Sequence, residues 1–154
     1  MRARLGPRLG SWPAFWTLGA SFGKEPWPRC GEIDIMEYYQ QTLLANVYHG
    51  TGGNPAGSTR KKPLADLGGD TWAKQFNTWT MQWDDKSIDL LVDGKQLNHF
   101  NIADADRPDG SNPFRRPQYL LLNQAVGGTC GGDPARTDFP LRLEVDWVRV
   151  YHRP

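Results

Sequence analysis

The chain has 154 residues, of which 38% are hydrophobic, 23% charged and 12% aromatic, and its formal net charge is +1. This composition fits one soluble globular domain over residues 1–154 and excludes a disordered or fibrous chain. Near-neutrality without a basic stripe argues against nucleic acid as a partner, and no apolar run approaches the roughly 20 residues that span a bilayer, which argues against the membrane.

The opening "MRARLGPRLGS" has the cations of a signal n-region without the apolar stretch that should follow, so no signal peptide is read. "GSWPAFWTLG", "GEIDIMEYY" and "LLANVYHG" then read as three strands. The next stretch, "TGGNPAGSTRKKPLADLGGD", is rich in Gly, Pro and polar residues and has no apolar period, which predicts a long surface loop over 51–70. "NTWTMQWDD" alternates Trp79, Met81 and Trp83 with Thr80 and Gln82, the period of a strand with one buried face. "SIDLLVDGKQLNHF" continues it, with Ile88, Leu90 and Val92 on one face and Asp93-Gly94 as the hairpin turn. A second loop, "IADADRPDGSNPFRRP", precedes two further strands in "PQYLLLNQAVGG" and "LRLEVDWVRVYH". No helix of more than two turns is expected. Short antiparallel strands at this spacing predict an all-β sandwich of jelly-roll type. Cys30 and Cys130 lack metal-ligand spacing, and either form one disulfide or remain two small buried thiols.

One segment departs from ordinary strand chemistry. "RCGEIDIMEYY" carries Glu32, Asp34 and Glu37 within six positions, with no Lys or Arg among them. On a strand Glu32 and Asp34 share a face while Ile33 and Ile35 enter the core. Strict alternation would bury Glu37 in apolar packing, where an unpaired carboxylate is costly. A β-bulge at Ile35-Met36 returns it to the face of the other two. A solvated strand face is the ordinary reading of paired acids, but three like charges in a row repel one another and acids are depleted in strands. A calcium site fits poorly on a strand flanked by Ile, because it wants carbonyl oxygens and loop geometry. Glycoside hydrolysis does fit: one carboxylate attacks the anomeric carbon, another protonates the leaving oxygen, and crowding raises the pKa of neighbouring acids. With the bulge, the two Glu Cα atoms lie roughly 13 Å apart along the strand, so spacing alone does not separate retaining from inverting geometry.

"GEIDIME" preceded by "WP", with "WPAFWTLG" upstream, "LLLNQAVGG" downstream and "VDWVRVY" near the end, resembles glycoside hydrolase family 16, in particular its laminarinase-like members. The resemblance covers essentially the whole chain. It implies a concave, concanavalin-like jelly roll of retaining endo-enzymes that act on β-linked glucans and galactans. It makes Glu32 the nucleophile, Asp34 the assisting carboxylate and Glu37 the general acid/base, and the two residues between Asp34 and Glu37 resemble the β-1,3-glucanase branch. It sets Trp27 on the cleft floor, Trp12 and Trp16 as sugar platforms, and His49 and Asn123 as substrate contacts. Core packing or a satisfied surface position is the ordinary fate of such residues. Asp146 matches a structural calcium ligand on the convex side, against the plain reading of a solvent-facing acid. Cys30 and Cys130 flank matched cleft segments, which would let a disulfide form there.

The resemblance therefore implies a β-1,3- or mixed-linkage glucanase with a β-glucan polysaccharide as partner, working outside the cytoplasm, with no cofactor for catalysis and at most a structural Ca2+. A galactan hydrolase of agarase or carrageenase type and a non-hydrolytic carbohydrate-binding jelly roll are the alternatives. One departure stands out: the family's domain is larger, and "RARLGPRLGSWPAFW" matches a point well inside it. The expectation is an N-terminally incomplete domain with exposed strand edges that risk association.

Overall fold

Alternating apolar residues pair into two antiparallel five-stranded sheets in the computed structural model, which describes residues 1–152. The strands are β1 (Arg2–Leu5), β2 (Ser11–Gly19), β3 (Glu32–Tyr39), β4 (Thr42–Thr51), β5 (Asn54–Pro63), β6 (Asn77–Trp83), β7 (Ser87–Val92), β8 (Lys95–Asn101), β9 (Gln118–Val126) and β10 (Leu143–Trp147). One sheet runs β10-β1-β6-β7-β8 and the other β5-β4-β3-β2-β9, so β3 is the middle strand of the second sheet. Between them lies one core, in which Phe15, Ile33, Ile35, Met36 and Val47 meet Trp79, Ile88, Leu90 and Phe100. The helical elements are single turns in the connections, as the sequence predicted. Asp93 and Gly94 both take positive φ, 48° and 75°, the backbone that a two-residue hairpin of the right twist demands.

Two segments correct the sequence reading. Residues 54–63, expected inside a loop, form β5, an edge strand laid along β4. An edge strand needs backbone pairing on one side only, and most of β5 is exposed, so no apolar alternation marks it. Gly57 is required there: at φ 137° a Cβ would stand 1.8 Å from the Val47 carbonyl oxygen. The other segment is β1, which lies in a region read only as a run of cations. Its Ala3 and Leu5 enter the core, while Arg2 and Arg4 pair with Asp146 and Glu144 of β10 on the outer face.

The two sides of the sandwich are finished differently. β5 carries Arg60, Lys61 and Lys62 between Pro55 and Pro63, residues that discourage edge-to-edge pairing. β9 carries no charge. Its Leu122 pairs with Phe15 of the core face yet is 46% exposed, and Leu120 is 43% exposed; on β10, Val145 beside Ala3 is 40% exposed. The side with exposed apolar edges is thus the β9/β10 side. Cys30 is a buried free thiol and Cys130 a half-buried one, so of the two readings left open it is the free thiols that the fold contains.

Candidate active site

Glu32, Asp34 and Glu37 gather on the face of the β3 sheet that points away from the core. Across to β2 the register is Leu18 opposite Glu32, Trp16 opposite Asp34 and Ala14 opposite Glu37, every second residue of β2. The register shifts between Asp34 and Glu37 on the β4 side as well. Ile35 and Met36 occupy that irregularity and are both buried. This is the bulge the carboxylate pattern required, and it is what puts the third acid beside the first two.

The acids differ in their polar neighbours. The Trp12 indole N–H donates to Glu37 Oε1 at 2.7 Å, and the Asn46 side-chain amide donates to Glu37 Oε2 at 3.1 Å and to Asp34 Oδ2 at 2.9 Å. The Trp27 indole lies near Glu32 and eases its charge. Burial and the neighbouring Glu37 push Glu32 up to about 7, against the partial relief given by Trp27. Asp34, 6% exposed, is held well above the usual carboxylate range by burial and by Glu32. Glu37 is raised by burial, with Trp12 and Asn46 pulling it back. Glu32 and Glu37 each raise the proton affinity of Asp34 between them, and Asn46 bridges Asp34 and Glu37, so the three titrate as one coupled unit.

These shifts predict a stability effect. Because the folded chain holds a proton on Glu32 more tightly than the unfolded chain, stability falls as pH rises from about 4.5 through about 7. Glu32→Gln should remove that cost. At pH 8 we expect a gain on the order of 1 kcal/mol after discounting for solvent screening, which is a few degrees in Tm. The gain should vanish at pH 4; an equal Tm difference at both pH values would refute the assignment.

Around the acids, Trp12 and Trp16 lie on the same face, and the Trp16 indole N–H donates to Asn123 Oδ1 at 2.8 Å. Trp27, 41% exposed, stands edge-on to Tyr48 with ring centres 6.3 Å apart. Trp27, Trp12, Trp16 and Asn123 are therefore brought to the face of the carboxylates. His49 is not. It lies on the Val47 side of β4, with its ring 5.5 Å from Phe100 and 6.2 Å from Phe114. Strand parity explains this correction: Asn46 and Tyr48 take the carboxylate face, so His49 must turn to the other. Tyr48, opposite Glu32, donates to or accepts from Thr59 at 3.1 Å. The same two-residue period could have identified Asn46 and Tyr48 in "LLANVYHG".

Asp146 lies on the outer sheet, far from these residues, and is engaged by Arg2. Among the described residues no group of three or more His, Cys, Asp or Glu side chains is placed to hold a metal. Calcium takes about six to eight oxygens. A single carboxylate already paired with a guanidinium does not fit that need, so Asp146 is better described as half of a surface ion pair.

The arrangement, an exposed face with indole rings around acids of raised pKa, suits a polymer of sugar rings with apolar faces and hydroxyl edges. Comparison with known proteins agrees with it. The profile of the family described as glycosyl hydrolases family 16 matches residues 1–149. A beta-glucanase of Rhodothermus marinus is 33% identical over 98% of this chain and 55% of its own length. A keratan-sulfate endo-1,4-beta-galactosidase of Sphingobacterium multivorum is 31% identical over all of this chain and 36% of its own. The crystal structure of an endo-beta-1,3-glucanase from Pyrococcus furiosus superposes with a TM-score of 0.76 at 32% identity, over 92% of this chain and 55% of that one. The chain thus spans between about a third and just over half of the length of these three proteins.

Proposed function

We propose that this chain, which belongs to glycosyl hydrolase family 16, carries the catalytic face of a retaining endo-glycosidase for β-1,3-linked or mixed-linkage glucan. The observation that carries the reading is the bulged β3 strand, which sets Glu32 and Glu37 on one face either side of Asp34, with the Trp12 indole N–H donating to Glu37 and the Trp27 indole near Glu32.

In the first step Glu32 attacks the anomeric carbon and the bond to the leaving sugar oxygen breaks. Glu37 gives its proton to that oxygen. In the second step Glu37 takes a proton from water, which attacks the same carbon and frees Glu32. Asp34 stays between them as a charge-holding neighbour. Trp27 and Trp12 serve as sugar platforms, and the Trp16–Asn123 pair extends the face toward β9. No cofactor is needed for these steps. A polymer substrate implies that the protein works outside the cytoplasm.

The test is product release from laminarin, lichenan, agarose and carrageenan by the purified chain. Release from laminarin is expected, with a rate that rises between pH 5 and pH 7, because the nucleophile must be ionised and Glu32 titrates near 7. The keratan-sulfate relative favours galactan as the second reading, and release from agarose or carrageenan alone would replace glucan by it. Binding without release from any of the four would make the chain a carbohydrate-binding jelly roll.

A further inference from the structure

Among the described residues, Asn46 is the side chain that donates hydrogen bonds to two of the three acids. It stands on β4 directly opposite Asp34, 1% exposed, at the place where the bulge opens the ladder between Asp34 and Glu37. Its amide nitrogen has two protons and spends one on each carboxylate, at 2.9 Å and 3.1 Å. Its own Oδ1 is buried without a partner. A buried acceptor left unpaired is unfavourable, and turning the amide over would aim that oxygen at two carboxylates instead. The amide is therefore held in this orientation by what its nitrogen does.

We propose that Asn46 is a positioning residue that ties Asp34 to Glu37 across the bulge and sets how readily Glu37 gives up its proton. The proposal rests on the glycosidase reading for its catalytic meaning, but its geometry stands independently. Glu37 has one donor on each oxygen, Trp12 and Asn46, so its carboxyl plane is pinned from both sides. Without Asn46, Glu37 Oε2 loses its donor, Glu37 becomes free to rotate about the Trp12 contact, and Asp34 loses the hydrogen bond that offsets its burial. Both acids should then hold protons more tightly. The other titratable and polar groups facing this site are Glu32 and Tyr39 of β3, Tyr48 of β4, Thr59 and Lys61 of β5, Trp12 and Trp16 of β2, Asn123 of β9 and the Trp27 loop; Tyr39 packs on Trp12 and its hydroxyl is held up by burial and by Glu37, and Glu32 is the carboxyl that shares the coupled proton.

The experiment compares wild type with Asn46→Leu, which removes both donors at similar volume, and Asn46→Ser, which keeps one short donor. Two readouts are taken: the pH dependence of kcat and KM on laminarin, and the titration of the free protein's carboxyls by 13C NMR. For Asn46→Leu we expect kcat to fall about 10- to 100-fold with KM changed less than about threefold. The alkaline limb and the Glu37 titration should both move up by about half a pH unit or more, and Asn46→Ser should fall between. A folded Asn46→Leu with an unmoved Glu37 titration would overturn the proposal, as would a loss carried by KM alone. Unfolding of both variants would assign Asn46 a purely structural role and also overturn it. If wild type hydrolyses none of the glycans, the glycosidase reading fails, and the NMR titration still decides whether Asn46 sets the proton affinity of Glu37.

Discussion

Glu32→Ala is expected to abolish sugar release from laminarin, lowering kcat by more than about 10³-fold, because no other group on the face can form the glycosyl-enzyme bond. Asp34 is the nearest carboxylate, but it is buried and held by Asn46, so it cannot reach out in place of Glu32. Glu32→Gln should be equally inactive while melting at a higher temperature at pH 8. That pairing of lost turnover with gained stability is informative: a residue needed only to hold the fold would lose both. Residual turnover within tenfold of wild type in either variant would remove Glu32 from the nucleophile's role.

Glu37→Gln should separate acid catalysis from sugar binding. We expect kcat on laminarin to drop by about 10²- to 10⁴-fold, the range for loss of a general acid, with affinity for laminari-oligosaccharides kept within a few-fold. The loss should shrink sharply on an aryl glycoside of a short gluco-oligosaccharide, whose leaving group departs without a proton. Glu32→Ala should show no such relief. An aryl substrate as slow as laminarin would mean that Glu37 does something other than protonate the leaving oxygen. A chain in which neither substitution changes any assay would be a binder.

The parts of this fold legible in the sequence were those written in side-chain period. Trp79, Met81 and Trp83 alternate along a strand, with Trp79 buried, Met81 partly buried and Trp83 exposed at its end; Asp93-Gly94 turns, and the conflict between Glu37 and strict alternation located a bulge that the register shift on both neighbouring strands bears out. The parts that were not legible are held by backbone or by distant pairing. β5 is recognised by its ladder to β4 and by Gly57, neither of which leaves an apolar pattern. β1 is a strand because its backbone pairs with β10, more than a hundred residues away, and with β6, with Arg2 and Arg4 meeting Asp146 and Glu144 across the first of these. At the site, the acids announced themselves by crowding. Asn46 did not, since a lone Asn in a strand carries no signal until its opposite residue is known. His49 misled through resemblance of position, where parity would have chosen Tyr48.

β3 is third of the five described strands of its sheet, and under the proposed function this position bears on how the polymer would be handled after it is cut. Neighbouring strands lie about 4.8 Å apart, so the scissile point has roughly 10 Å of sheet on either hand, β4 and β5 one way, β2 and β9 the other. On that reading, a glucan laid across the sheet would be held on both sides of the scissile bond while intact, and each fragment would keep only part of that purchase. Neither fragment would then have a long arm to hold it in place while the next bond slides into register. The digest of laminarin proposed above should accordingly begin with scattered mid-length chains and shorten as a whole, in contrast to the steady release of one small sugar that a lopsided grip would give.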